Sequence, residues 1–92
     1  MLQFVIDIDL SGADLDAFDR YEALALGLFA EHGGEVVARV RDTAGRREWH
    51  VLRIPTREAF EAFLADPRRT AQADLLARAS VTMERHEVVP VG

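Results

Sequence analysis

Three features of the chain predict an α+β fold in which one antiparallel sheet carries helices on a single face. Stretches of period-two alternation stand at both ends of the chain, two more with a short turn between them stand in the middle, and two helical repeats separate these strands. The resulting order is β-α-β-β-α-β. Such a sheet needs one apolar face to meet its helices and leaves the other to solvent or to another chain.

The opening strand is "MLQFVIDIDL", where Leu2, Phe4, Ile6, Ile8 and Leu10 alternate with Gln3, Val5, Asp7 and Asp9. Ser11-Gly12 breaks it. Asp14 to Asp16 supplies a helix N-cap ahead of Leu15, Phe18, Tyr21, Ala25, Leu28 and Phe29, which recur at helical spacing, and His32-Gly33-Gly34 closes that helix. In "EVVARVRD" the alternation puts Val36, Ala38 and Val40 on one face and Val37, Arg39 and Arg41 on the other. A turn at Asp42 to Gly45 leads into "EWHVLRI", with Leu52 and Ile54 on one face and Trp49, Val51 and Arg53 on the other. Pro55 stops the strand. Thr56 caps the second helix, whose buried stripe is Ala59, Phe60, Phe63 and Leu64; Asp66-Pro67 then restarts a helix expected over Arg68 to Ala79. "SVTMERHEVVPV" reads as the fourth strand, with Val81 and Met83 opposite Thr82, Glu84 and His86.

A chain of 92 residues with no linker or composition shift is read as one domain, 1-92, and its own core is thin, because this length buries only about 60–65% of the unfolded surface. Sixteen acidic against 11 basic residues give a formal charge of −5, which argues against a nucleic-acid footprint. All the basic residues are Arg. That fits the codon usage of a G+C-rich bacterium better than an anion-binding device. With no Cys there is no disulfide frame and no thiol chemistry. No signal peptide or membrane span is visible, so a cytoplasmic location is expected.

In the ferredoxin-like arrangement that this order implies, a four-stranded antiparallel sheet has its first and third strands at the centre. The even residues of the first three strands would face the helices. Asp7 and Asp9 fall on the uncovered face, near Arg53 and flanked by Arg39 and Arg41, with Val5, Val37, Trp49 and Val51 among them. Buried charges need partners and apolar side chains gain by being covered. The expectation is a homodimer in which two such faces meet around a polar-lined cavity.

The segments "FVIDIDL", "LFAEHGGEVVAR", "WHVLRIPTREAFEAFLADP" and "VTMERHEVVPV" together resemble the dimeric α/β-barrel superfamily, in particular its short bacterial domains of unknown function. The resemblance covers nearly the whole chain. It implies ferredoxin-like subunits paired sheet to sheet, in a superfamily that includes cofactor-free monooxygenases, isomerases of small ring compounds, haem-handling enzymes and ligand-sensing domains. The chain departs from the usual pattern in its short hairpin and in "DPRRTA", where a Tyr is often seen.

Asp7 and Asp9 could work as an acid/base pair, since neighbouring carboxylates push one pKa upward; the plainer reading is paired structural charge. Arg39, Arg41 and Arg53 could clamp a carboxylate or phosphate, or simply satisfy Asp7, Asp9 and Glu84. His86, beside Glu84 on the polar face, is the best single candidate for proton transfer. His50 has the parity of a core-edge residue, and His32 suits a helix C-terminus. None of the three histidines has metal-ligand spacing, and no cofactor motif is present. Trp49 could line an aromatic pocket or anchor a dimer interface. The expected function is binding, with cofactor-free conversion, of a small organic molecule by catalytic His86, Asp7 and Asp9 and ligand-binding Arg39, Arg41, Trp49, Arg53 and Glu84. The alternative is a non-enzymatic ligand-sensing or structural homodimer.

Overall fold

In the computed structural model, which describes residues 1–92, β1 (Leu2–Asp9) lies inside a four-stranded sheet between β3 (Arg47–Ile54) and β4 (Thr82–Val88), and β2 (Glu35–Arg41) forms the edge beyond β3. All three pairings are antiparallel. The helices α1 (Leu15–Glu31), α2 (Arg57–Leu64), α3 (Pro67–Thr70) and α4 (Ala73–Ala79) complete the chain. They cover one face of the sheet: Phe4, Ile8, Leu52 and Ile54 of the strands are buried among Phe18, Phe29, Phe60 and Phe63 of the helices. This is the expected α+β, ferredoxin-like fold.

The helix starts are set by side chains that accept otherwise unpaired backbone N–H groups. Asp14 accepts from Ala17 N at 3.1 Å, Thr56 from Ala59 N at 3.1 Å, and Asp66 from Arg68 N at 2.9 Å, with Pro67 opening α3. At the end of α1, Gly33 takes a φ of +88°, and a Cβ on Gly34 would stand 2.3 Å from the Phe29 ring. Neither position has room or conformational freedom for a larger residue.

Two expectations need correction. The helix expected over Arg68 to Ala79 is broken at Ala71-Gln72 into α3 and α4. α3 buries none of its residues, and the break re-aims the chain so that Leu75 and Ala79 of α4 reach the core beside Phe18 and Tyr21 of α1. The second correction is in β2, where Val36 pairs with Leu52 but Ala38 pairs with Val51, so that Val37 is an extra residue in a β-bulge. A one-residue slip reverses every later side chain. Ala38 and Val40 therefore stand opposite Val51 and Trp49 on the open face, whereas Arg39 and Arg41 stand opposite His50 and Glu48 on the helix-covered face.

The core is in two parts. One cluster joins Ile8 and Leu10 to α1 and α4, the other joins Phe4, Leu52 and Ile54 to α2 and the end of α1, and the partly buried Ile6 packs against both. The seam between them is where the candidate site lies.

Candidate functional site

Between the sheet and the helices runs a cavity of about 210 Å³, walled mainly by apolar side chains such as Ile6, Ala25, Phe29, Leu52, Phe60 and Phe63. Four charged or titratable side chains also reach its wall: Glu22 from α1, His50 from β3, Arg69 from α3 and Arg85 from β4, and Tyr21 adds a phenol. The register explains the pattern, because Arg39, His50, Ile6 and Arg85 form one row across the four strands, and Arg41, Glu48, Ile8 and Met83 the next.

Glu48 is 2% exposed and is held by three donors. Arg39 Nε lies 3.0 Å from its carboxylate, Arg41 Nε 2.8 Å and His50 Nε2 2.6 Å. Arg41 also donates to Asp19 at 2.8 Å, which links the buried cluster to the surface of α1. Burial alone would raise the pKa of Glu48, but the hydrogen bonds from His50, Arg41 and Arg39 outweigh it and hold the group below its ordinary value. Glu48 is thus a fixed anion. Burial pushes the imidazole of His50 the other way from Glu48's pull, and its pKa is lowered, so the ring is a neutral hydrogen-bond partner near pH 7.

His50 turns its second nitrogen toward Glu22. The Nδ1 to Oε2 distance is 3.8 Å, too long for a direct hydrogen bond but bridged by a small movement or one water. Glu22 is 4% exposed, and burial in first place, opposed by Arg39 and reinforced by Glu48 and Asp19, raises its pKa to about 7. A carboxyl poised near neutrality on a cavity wall can both accept and return a proton. Burial likewise pushes the Tyr21 phenol up, against the pull of the nearby Arg69.

The open face holds the other candidates. Arg47 donates to Asp7 at 2.6 Å, and Asp9 accepts from the backbone N of Ser11 at 2.8 Å, which lowers its pKa and turns it into the strand-end turn. Asp7, Asp9, Arg47, Thr82 and Glu84 surround a polar hollow of about 140 Å³. His86 and Glu84 are exposed neighbours at 3.5 Å. Arg53 pairs with Glu35 at 2.7 Å rather than with Asp7 or Asp9, and its Nε is buried without an acceptor. Trp49 and Val51 stand half-buried on the same face. The eight candidates therefore converge only in part: Asp7, Asp9 and Glu84 share the polar hollow with His86 beside Glu84, Trp49 and Arg53 lie outside it on the open face, and Arg39 and Arg41 serve the covered side. Nowhere do three or more His, Asp or Glu side chains gather as metal ligands would.

No protein-family profile matches the chain, and no curated protein does. Solved structures match along nearly its full length. SnoaB from Streptomyces nogalater, described as a cofactor-independent oxygenase, superposes with a TM-score of 0.78 at 24% identity over 99% of this chain and 93% of that one. An uncharacterized NIPSNAP domain protein from Burkholderia xenovorans gives 0.69 at 13% identity over 97% and 94%. An antibiotic biosynthesis monooxygenase gives 0.55 at 19% identity over 96% and 99%. The chain shares the ferredoxin-like fold of these proteins.

Within that fold, the residues around the cavity were only partly legible in the sequence. Glu22 lies four residues after Phe18 and three before Ala25, so helical spacing alone places it on the buried stripe of α1. Glu48 shares the parity of His50, Leu52 and Ile54. Arg85 shares that of Met83. Arg69 had no such signal, because its place depends on the break after α3.

Proposed function

We propose that the chain binds a small, largely apolar organic molecule in the cavity between sheet and helices and moves a proton on it without a cofactor. The observation that carries this reading is a buried carboxyl, Glu22, opening on an apolar cavity next to an imidazole anchored by a fixed anion. Glu48 orients His50, and Glu22 and His50 exchange the proton with the bound molecule. The shared fold with a cofactor-independent oxygenase supports the class of chemistry. This moves the proposed site from the open face to the covered one, and His86, Asp7 and Asp9 are not needed for it.

The open face has a separate use in this proposal. Val40 is 55% exposed and Val37 47%, and they sit beside Trp49, Val51 and Val5 on the sheet. A second copy covers this face, which gives a homodimer and offers the orphaned Arg53 Nε an acceptor.

Backbone amide shifts on titration with single-ring aromatic compounds test the location. Shifts centred on Ile6, Ala25 and Leu52 are expected. Shifts centred on Val5, Val51 and His86 would place binding on the open face and overturn the assignment. Once a converted compound is found, Glu22→Gln is expected to abolish turnover, and His86→Ala to leave it within about twofold.

A further inference from the structure

Arg69 and Arg85 differ from most of the arginines in the chain. Arg39, Arg41, Arg47, Arg53, Arg57 and Arg68 each have a carboxylate within 4.0 Å. Arg69 and Arg85 have none, yet both reach the wall of an apolar cavity. Each is held in place by aromatic rings instead. The Arg85 guanidinium lies 4.9 Å from the centre of the Phe60 ring and 5.7 Å from that of Phe4, and Arg69 lies 5.3 Å from Phe63. Arg69 is oriented further by donating Nη1 to the Leu64 carbonyl at 3.1 Å.

A guanidinium carries five N–H donors in a planar fork that matches a carboxylate, and stacking on a ring leaves its edge free to donate. The acid that shares the cavity wall does not compete for them. Glu22 faces His50, Arg39, Glu48 and Asp19, and the side chain that approaches it within 4.0 Å is the neutral His50, at 3.8 Å. The size of the cavity limits the rest of the ligand. An apolar cavity of about 150 Å³ accepts benzene, so about 210 Å³ has room for one ring with a small substituent. Phe29, Phe60 and Phe63 supply the ring contacts.

We infer that the ligand of this cavity is a single-ring aromatic carboxylate, its ring between Phe29, Phe60 and Phe63 and its carboxylate on Arg69 and Arg85. The inference rests on the cavity reading above and names the substrate class for it. The competing role for the two arginines is that of lids, whose stems and stacked heads shield the phenylalanines from water without binding anything.

Calorimetric titration with benzoate and with its neutral isostere benzamide, at about pH 6 where Glu22 is protonated, separates the two. Benzoate is expected to bind at least roughly tenfold more tightly than benzamide and to weaken with added salt. Arg69→Gln and Arg85→Gln should each remove most of that preference by weakening benzoate far more than benzamide, and Arg85→Lys should restore part of it. Equal affinity for the two compounds would overturn the anion assignment and leave the cavity reading standing. Failure of both compounds to bind the folded protein would overturn both. The comparison in the unsubstituted protein does not depend on any variant folding.

Discussion

Glu22 is the residue whose environment has the clearest measurable consequence. Its pKa is raised from 4.5 to about 7 on folding, chiefly by burial, so the folded chain holds more protons than the unfolded one between those values. That contribution to stability is full below pH 4.5 and is lost as pH rises through about 7. His50 acts in the opposite direction, since its lowered pKa makes stability rise with pH up to its ordinary value of 6.5. The two slopes partly cancel in the unsubstituted protein. The difference between Glu22→Gln and the parent isolates Glu22: the variant is expected to gain relative stability steadily over this window, reaching roughly 3 kcal/mol at pH 8. Urea unfolding across pH measures it, and a pH-independent difference would mean that Glu22 ionises normally. At Glu48 the expectation is reversed. Glu48→Ala leaves Arg39, Arg41 and His50 without their shared acceptor and is expected to cost roughly 3 kcal/mol in the same measurement.

At the scale of elements, the bulge at Val37 decides what β2 presents to each side. Without a bulge the full sequence would pair Val37 with Val51 and turn Arg39 and Arg41 to the open face; deleting the extra residue instead leaves Ala38, Arg39, Val40 and Arg41 opposite Val51, His50, Trp49 and Glu48. Deletion of Val37 is therefore expected to cost much less stability than Glu48→Ala, because it leaves Glu48 its guanidinium partners. Thermal melting of the two variants and of their combination checks it: near-additive losses are expected, since the two changes remove different interactions. A deletion as costly as Glu48→Ala would mean that the bulge itself holds the two arginines on Glu48. The junction between α1 and β2 is equally constrained. A methyl group on Gly34 meets the Phe29 ring at 2.3 Å, so Gly34→Ala should lower stability by roughly 1–3 kcal/mol through displacement of a buried ring.

At the scale of the whole molecule, the sheet has helices on one side only, and the chain is about 16 Å across its shortest axis. No helix is long and apolar enough to cross a membrane. The open face combines Val40, Val51, Val5 and Trp49 with the Asp7–Arg47 and Arg53–Glu35 pairs. If a second copy covers it, Val40→Glu places a charge within the interface. Light scattering on a size-exclusion column is then expected to report a dimer for the parent and a monomer for the variant. A monomeric parent at micromolar concentration would refute the assembly.

The amino-acid sequence by itself determined the strand and helix order, the caps at Asp14, Thr56 and Asp66, the Gly33-Gly34 stop and the face to which Asp7 and Asp9 belong. Each of these follows from a period or a local hydrogen bond that acts within a few residues. The tertiary structure alone decided where the chemistry sits. Period-two reading assumes an unbroken strand, and the extra residue at Val37 moved two arginines across the sheet. The break at Ala71-Gln72 set the course of the chain from α3 into α4. The cavity itself exists because two hydrophobic clusters meet imperfectly over Ile6, and a gap between packed side chains has no local signature in the chain that surrounds it.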